Sequence, residues 1–187
     1  MPLIPNSNTP FGFVPYDAEA RLEYYPKSAS SPAIFRGDAV AIDANGQLIA
    51  ATSVAEKRIV GVAAESVASG SAAAAVAVYG NVTKALYVVQ EDSVGVAMSQ
   101  SLIGNIADIT GFTPGSSALV AAGHSVMQLD TSTADIASVA GLLRGQMKII
   151  MMHPIENGSY PDTTGNPRKV VIKFSPYFTL GGTTSGI

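Results

Sequence analysis

Between Ile34 and Val82, short runs of Val, Ile and Ala are cut again and again by Gly, Asp and Asn, and this rhythm narrows the fold more than any other feature. Runs so short and so rich in β-branched residues are strands rather than helices. Val40 and Ile42 alternate with Ala39, Ala41 and Asp43. Asp43-Ala44-Asn45-Gly46 then supplies a turn, because Asn and Gly tolerate positive φ, and Gln47 to Ala50 returns as the second strand of a hairpin. Ile59 to Ala63 and Ala75 to Tyr79 are two further runs, closed near Ser69-Gly70 and at Gly80-Asn81. Turns at this spacing predict a mainly β chain, a small β-barrel or sandwich.

The flanking sequence divides the chain. Residues 1–32 hold six of the eleven prolines (Pro2, Pro5, Pro10, Pro15, Pro26, Pro32), which predicts an extended N-terminal arm without regular structure, followed by a β domain over 33–187. Phe11, Phe13, Tyr16, Tyr24 and Tyr25 lie in that arm, five of the thirteen aromatic residues. Disordered segments are poor in such rings, so these must be covered, either by the chain's own β domain or by a neighbour. As partner-binding anchors they are the candidate site residues.

Lys84 to Val89 reads as a strand, and about 91–123 as an irregular region rich in Gly, Ser and Ala. Within it Val94 to Ala97, then Gly104, echo Val60 to Ala63, then Gly70; one echo is too little for a repeat protein. Ser125 to Asp130 alternates, with Met127 and Leu129 on one face. Ile136, Val139, Ala140 and Leu143 have helical spacing after the candidate caps Ser132 and Thr133, although an ordered loop would read alike. Gln146 to His153 is apolar on both faces, as a central strand would be. Arg168 to Phe174 alternates, and Lys169 and Lys173 suggest a charged strand guarding an edge. A Gly/Thr-rich tail follows Pro176.

Two patches together resemble a known family. In the first, Gly37-Asp38 leads into a strand, Asp43 and Gly46 frame an Asp-x-x-Gly hairpin, Ile59 to Ala63 reads Ile-Val-Gly-Val-Ala, and an apolar strand closes on Tyr79-Gly80. In the second, Gln128 to Ala134 and Gln146 to Ile150 precede a Pro/Asn/Gly loop and a final alternating strand. The arrangement resembles the head decoration, or cement, proteins of tailed bacteriophages. The resemblance implies a structural virion protein on the capsid exterior, made in the host cytoplasm, that binds the major capsid protein in many copies and stabilises the shell. It implies no enzyme activity and no cofactor. A homo-oligomer is implied too, most simply a trimer, since quasi-threefold junctions are common binding points on icosahedral shells.

Composition agrees with assembly. Charged residues are 13% of the 187, against roughly 25% in typical soluble domains, and mean hydropathy is +0.28. A surface so poor in charge loses little hydration when covered. The net charge of −3 and scattered basic residues provide no stripe for phosphates, so no nucleic-acid partner is expected. No membrane span is expected either, because the longest uncharged run, Ile109 to Leu129, is broken by Gly111, Pro114, Gly115 and Gly123. The first basic residue is Arg21, and Pro2, Pro5 and Pro10 interrupt any apolar leader, so no signal peptide is expected.

Catalytic chemistry finds little material. Cysteine is absent, which removes disulfides and thiolate zinc sites. His124 and His153 are too few for a histidine cluster, and neither has a carboxylate at ligand spacing, so no metal site is expected. Ser125, His124 and Asp130 supply the atoms of a triad, but no Gly-x-Ser-x-Gly elbow surrounds any serine and neighbouring strand residues face opposite ways. Asn81-Val82-Thr83 and Asn157-Gly158-Ser159 match the glycosylation sequon and read more simply as turns. The alternative function is a carbohydrate- or receptor-binding β domain of a phage fibre or tail. That would require a concave aromatic platform, for which the domain offers Phe35, Tyr79, Tyr87 and Phe112 and no Trp.

Overall fold

The structure, a computed structural model, describes residues 10–52, 59–71, 75–92, 98–112, 124–135, 147–154 and 168–174. The Val94 to Ala97 echo, the helical spacing from Ile136, the glycine-rich loop after Pro154 and the tail after Pro176 lie outside these residues, as do residues 1–9 of the arm. The strands in chain order are β1 (Val14–Pro15), β2 (Leu22–Tyr25), β3 (Ala39–Ile42), β4 (Leu48–Ala50), β5 (Ile59–Ala63), β6 (Val76–Tyr79), β7 (Tyr87–Gln90), β8 (Ile106–Thr110), β9 (Gln128–Asp135), β10 (Met147–Met152) and β11 (Lys169–Phe174). A single 3-10 turn over Gln100–Leu102 precedes β8.

These strands form two antiparallel sheets packed as a β sandwich. The larger runs β1-β7-β11-β10-β8-β9 and the smaller β2-β6-β5-β3-β4. Between them lies the main core, to which the larger sheet contributes Tyr87, Val89, Ile109, Leu129, Met147, Ile149, Ile172 and Phe174, and the smaller Ala39, Ile59 and Val62. Alternation explains the division of labour in the smaller sheet: Ala39 faces the main core, whereas Val40 faces a second cluster with Ile34, Leu48, Val76 and Val78.

That second cluster exists because the smaller sheet curls. Just past β2, Leu48 donates its N–H to the Pro26 carbonyl at 2.7 Å, and Ser28 donates to the Leu48 carbonyl at 3.0 Å, a parallel bridge that joins the segment after β2 to β4 at the sheet's opposite edge. Lys27 plugs this seam. It is 1% exposed, and its ammonium donates to the carbonyls of Ser28, Ser31 and Ser71 at 3.2–3.3 Å, which satisfies its three protons without a carboxylate. Burial lowers its pKa.

The hairpin is where the sequence places it: β3 and β4 pair Val40 with Ala50 and Ile42 with Leu48. Asp43 organises the turn by accepting from the N–H groups of Asn45 and Gln47 on one carboxylate oxygen, and Gly46 takes φ +75°. Asn45 does not share the positive φ. The runs at 59–63 and 75–79 become β5 and β6, and Met127 and Leu129 are buried while Val126 and Gln128 are not.

Several readings need correction. Residues 14–15 and 22–25 of the arm are strands, each the outermost of a sheet, so the boundary at 32 does not separate the arm from the β structure. Proline is compatible with this because an edge strand needs only one of its two hydrogen-bonding sides. The strand expected from Lys84 starts at Tyr87, since the N–H groups of Lys84 and Ala85 are engaged by the Asn81 carbonyl in a turn. The region expected to be irregular contains β8. Ser132 and Thr133 cap no helix; they lie within β9. Finally, β11 is not an edge strand but sits between β7 and β10, while β10 is central as its composition predicts.

Candidate partner-binding surface

The five candidate aromatics do not form one patch. Phe13 is 2% exposed in the main core, its ring 5.3 Å from that of Phe174, which in turn meets Tyr87 edge-on at 5.3 Å. Tyr16 is half-buried with its ring edge-on to His153 at 5.8 Å, and Phe11 is half-buried beside the Gly37 turn. Tyr25 packs against the second cluster and donates its hydroxyl to Glu23 at 2.6 Å. Burial, then the bond to Glu23 and its negative charge, push the Tyr25 phenol up to about 12. Tyr24 alone points outward, 66% exposed, together with Leu22 at 53%. Sequence reasoning missed Leu22, whose signal was its place two residues from Tyr24 on a strand.

The anchoring of the arm explains why only one of these rings faces water. Three segments meet at a tight junction: the Phe13 N–H donates to the Gly37 carbonyl at 2.8 Å, and a Cβ on Gly12, at φ +71°, would fall 2.4 Å from that carbonyl oxygen and 2.5 Å from Ser125 Cβ. Only glycine fits there. Asp38, next to Gly37, accepts the Phe35 N–H at 2.8 Å and is hydrogen-bonded to the Ser125 side chain. Burial pushes the Asp38 carboxyl up to about 6 against these two bonds, which act in the opposite direction. The Gly37-Asp38 pair and Ser125 are therefore joints of the fold. Ser125 is fully buried and also accepts the Met127 N–H, and His124, exposed, bridges to Arg36.

Two other buried polar groups are structural in the same way. Glu91 accepts the N–H groups of Met98 at 2.5 Å and Arg168 at 2.9 Å, and the Arg168 guanidinium donates to the Met98 carbonyl, so one carboxylate ties three segments. Tyr87 donates its hydroxyl to the carbonyls of Tyr79 at 2.9 Å and Gly80 at 3.1 Å, pinning the larger sheet to the end of β6; burial, then the charges of Asp17 and Glu23, raise its pKa. Among the described residues no three His, Cys, Asp or Glu side chains come close enough to hold a metal. No described helix is long and apolar enough to cross a membrane.

The backbone of β2 completes the surface. The Gly80 N–H donates to the Arg21 carbonyl at 2.8 Å, and the register pairs Leu22 with Tyr79, Glu23 with Val78 and Tyr24 with Ala77. In an antiparallel ladder hydrogen-bonded pairs alternate with non-bonded ones, so Arg21 and Glu23 bond β6 whereas Leu22 and Tyr24 direct their N–H and C=O groups outward. That outward side is used at Pro26 and Ser28, by β4, and is free of described partners at Leu22 and Tyr24. An open stretch of edge and the two exposed large apolar side chains of the described residues thus coincide. The chain matches no family model, no curated protein and no solved structure.

Proposed function

We propose that this chain is a non-enzymatic structural protein of a phage virion, attached in many copies to the outside of the capsid, where it self-associates and reinforces the shell. The observation that carries the reading is the β2 edge, open among the described residues, with Leu22 and Tyr24 outward. Edge strands are ordinarily protected against association, and here the apolar pair promotes it. The low charge density supports the same reading, as does the resemblance of the Gly37-Asp38, Asp43-x-x-Gly46 and Ile59–Ala63 elements to cement proteins. Mechanically, each copy contributes modest affinity for the major capsid protein, and linkage between copies raises the effective affinity by making later contacts intramolecular.

The test is attachment. Purified protein mixed with undecorated phage heads should co-sediment with them at saturating stoichiometry and raise the temperature at which they release DNA. Protein that stays in the supernatant and leaves the heads' thermal behaviour unchanged refutes the proposal. Saturable binding to cell-surface polysaccharide instead would favour the fibre or tail reading.

A further inference from the structure

We infer that the β2 edge is a self-pairing site, at which a second copy of this chain adds its own β2 antiparallel about a twofold axis centred on Leu22. The inference rests on the self-association in the proposed function and specifies the surface and register that perform it. Leu22 and Tyr24 present outward N–H and C=O groups in extended conformation, a row that another extended backbone can pair in place of water.

Charge selects the partner. Four antiparallel registers bring one β2 against another. Pairing Tyr24 with Tyr24 sets Leu22 against Pro26, and pairing Tyr25 with Tyr25 sets Tyr24 against it; Pro26 has no N–H and its carbonyl already accepts from Leu48. Pairing Leu22 with Tyr24 sets Glu23 against Glu23 of the other copy, and like charges directly opposite are destabilising. Pairing Leu22 with Leu22 sets Arg21 against Glu23 and Glu23 against Arg21, two opposite-charge pairs related by the axis. The same register stacks Leu22 on Leu22, with each Tyr24 beside it on the same face, and covers the exposed apolar pair. The Glu23 carboxylate lies over Gly80 at the end of β6 and accepts the Tyr25 hydroxyl at 2.6 Å. The edge is self-complementary in backbone, apolar surface and charge, in one register of four. This contact is twofold, so the trimer that the resemblance implies would need a different surface.

Sedimentation velocity on the full chain tests the register through charge swaps. Wild type should form a dimer. Arg21→Glu alone, which places acid against acid, and Glu23→Arg alone, base against base, should each weaken it at least tenfold in Kd. An equimolar mixture of the two variants should recover it as a heterodimer, since every cross-pair is then of opposite sign. Tyr24→Pro provides a variant independent of charge: the Tyr24 N–H faces outward and is not used by β6, so the fold should keep its circular-dichroism spectrum while dimerisation is lost. Wild type that stays monomeric at all concentrations, or variants that dimerise as wild type does, overturns the inference. Monomeric wild type that binds heads, and loses that binding in Tyr24→Pro, would assign the edge to a capsid strand, overturning self-pairing while leaving the virion role intact. An oligomer that persists in all three variants places self-association elsewhere and likewise overturns only this site.

Discussion

Asp38 offers a stability test that depends on one buried group. Its carboxyl is 4% exposed and its pKa in the folded chain is raised to about 6 from the ordinary 3.8. Between these values the folded state binds more protons than the unfolded one, so this site's contribution to stability is complete below pH 3.8 and is lost as pH rises through 6. Over the whole range the gap corresponds to about 3 kcal/mol; between pH 5 and pH 7.5, where acid effects elsewhere are smaller, it corresponds to about 1.4 kcal/mol. Asp38→Asn removes the titration and keeps an oxygen for the Phe35 N–H. Urea unfolding of wild type and variant at the two pH values isolates the effect, because all other groups cancel in the difference. Wild type should lose about 1.4 kcal/mol relative to Asp38→Asn on going from pH 5 to pH 7.5. Parallel pH profiles for the two proteins would show that Asp38 titrates normally, and that burial at the Gly12, Gly37 and Ser125 junction does not govern its charge.

The two glycine turns separate strain from collision. Gly46→Val should cost about 1 to 3 kcal/mol, from positive φ alone, since a Cβ there meets nothing within 4 Å. Gly12→Ala, with the same sign of φ and a carbonyl oxygen 2.4 Å from its Cβ, should cost more despite the smaller side chain; urea midpoints in the reverse order would refute the junction. Phe13→Ala should destabilise by about 3 to 5 kcal/mol as a core truncation, measured by the same unfolding. A loss under about 1 kcal/mol would mean that the Phe13 ring is not part of the packed core.

Local chemistry was the most legible part of the sequence. Asp43 and Gly46 specify their hairpin by short-range hydrogen bonds and backbone freedom, both visible in four residues. The order of strands was not legible, because it depends on which apolar faces meet across long separations. Lys169 and Lys173 illustrate the ambiguity: charge alternating along a strand marks an exposed face, and the same pattern serves an edge or a central strand. β8 escaped notice for the opposite reason, since Asn105-Ile106-Ala107-Asp108-Ile109-Thr110 is framed by Gly104 and Gly111 in a stretch of small residues. For the candidate site, composition showed that the arm's rings need cover without showing which stay open. Phe13 is covered by the chain itself, and it takes the register of β2 on β6 to set Leu22 and Tyr24 apart.

The two sheets draw on the chain in different ways. The smaller one uses only residues 22–79, so each of its pairings closes a modest loop. The larger one lays β1 and β11 on either side of β7, and sets Phe13 against Phe174, from positions about 160 apart, where loop closure costs the most entropy. A chain halted before residue 169 can therefore complete the curled sheet but not the sandwich: β7 has lost its inner neighbour, and Phe13 has lost the ring it meets. The larger sheet acts as a completeness check, in which the first described strand finds its full setting only once the last has arrived.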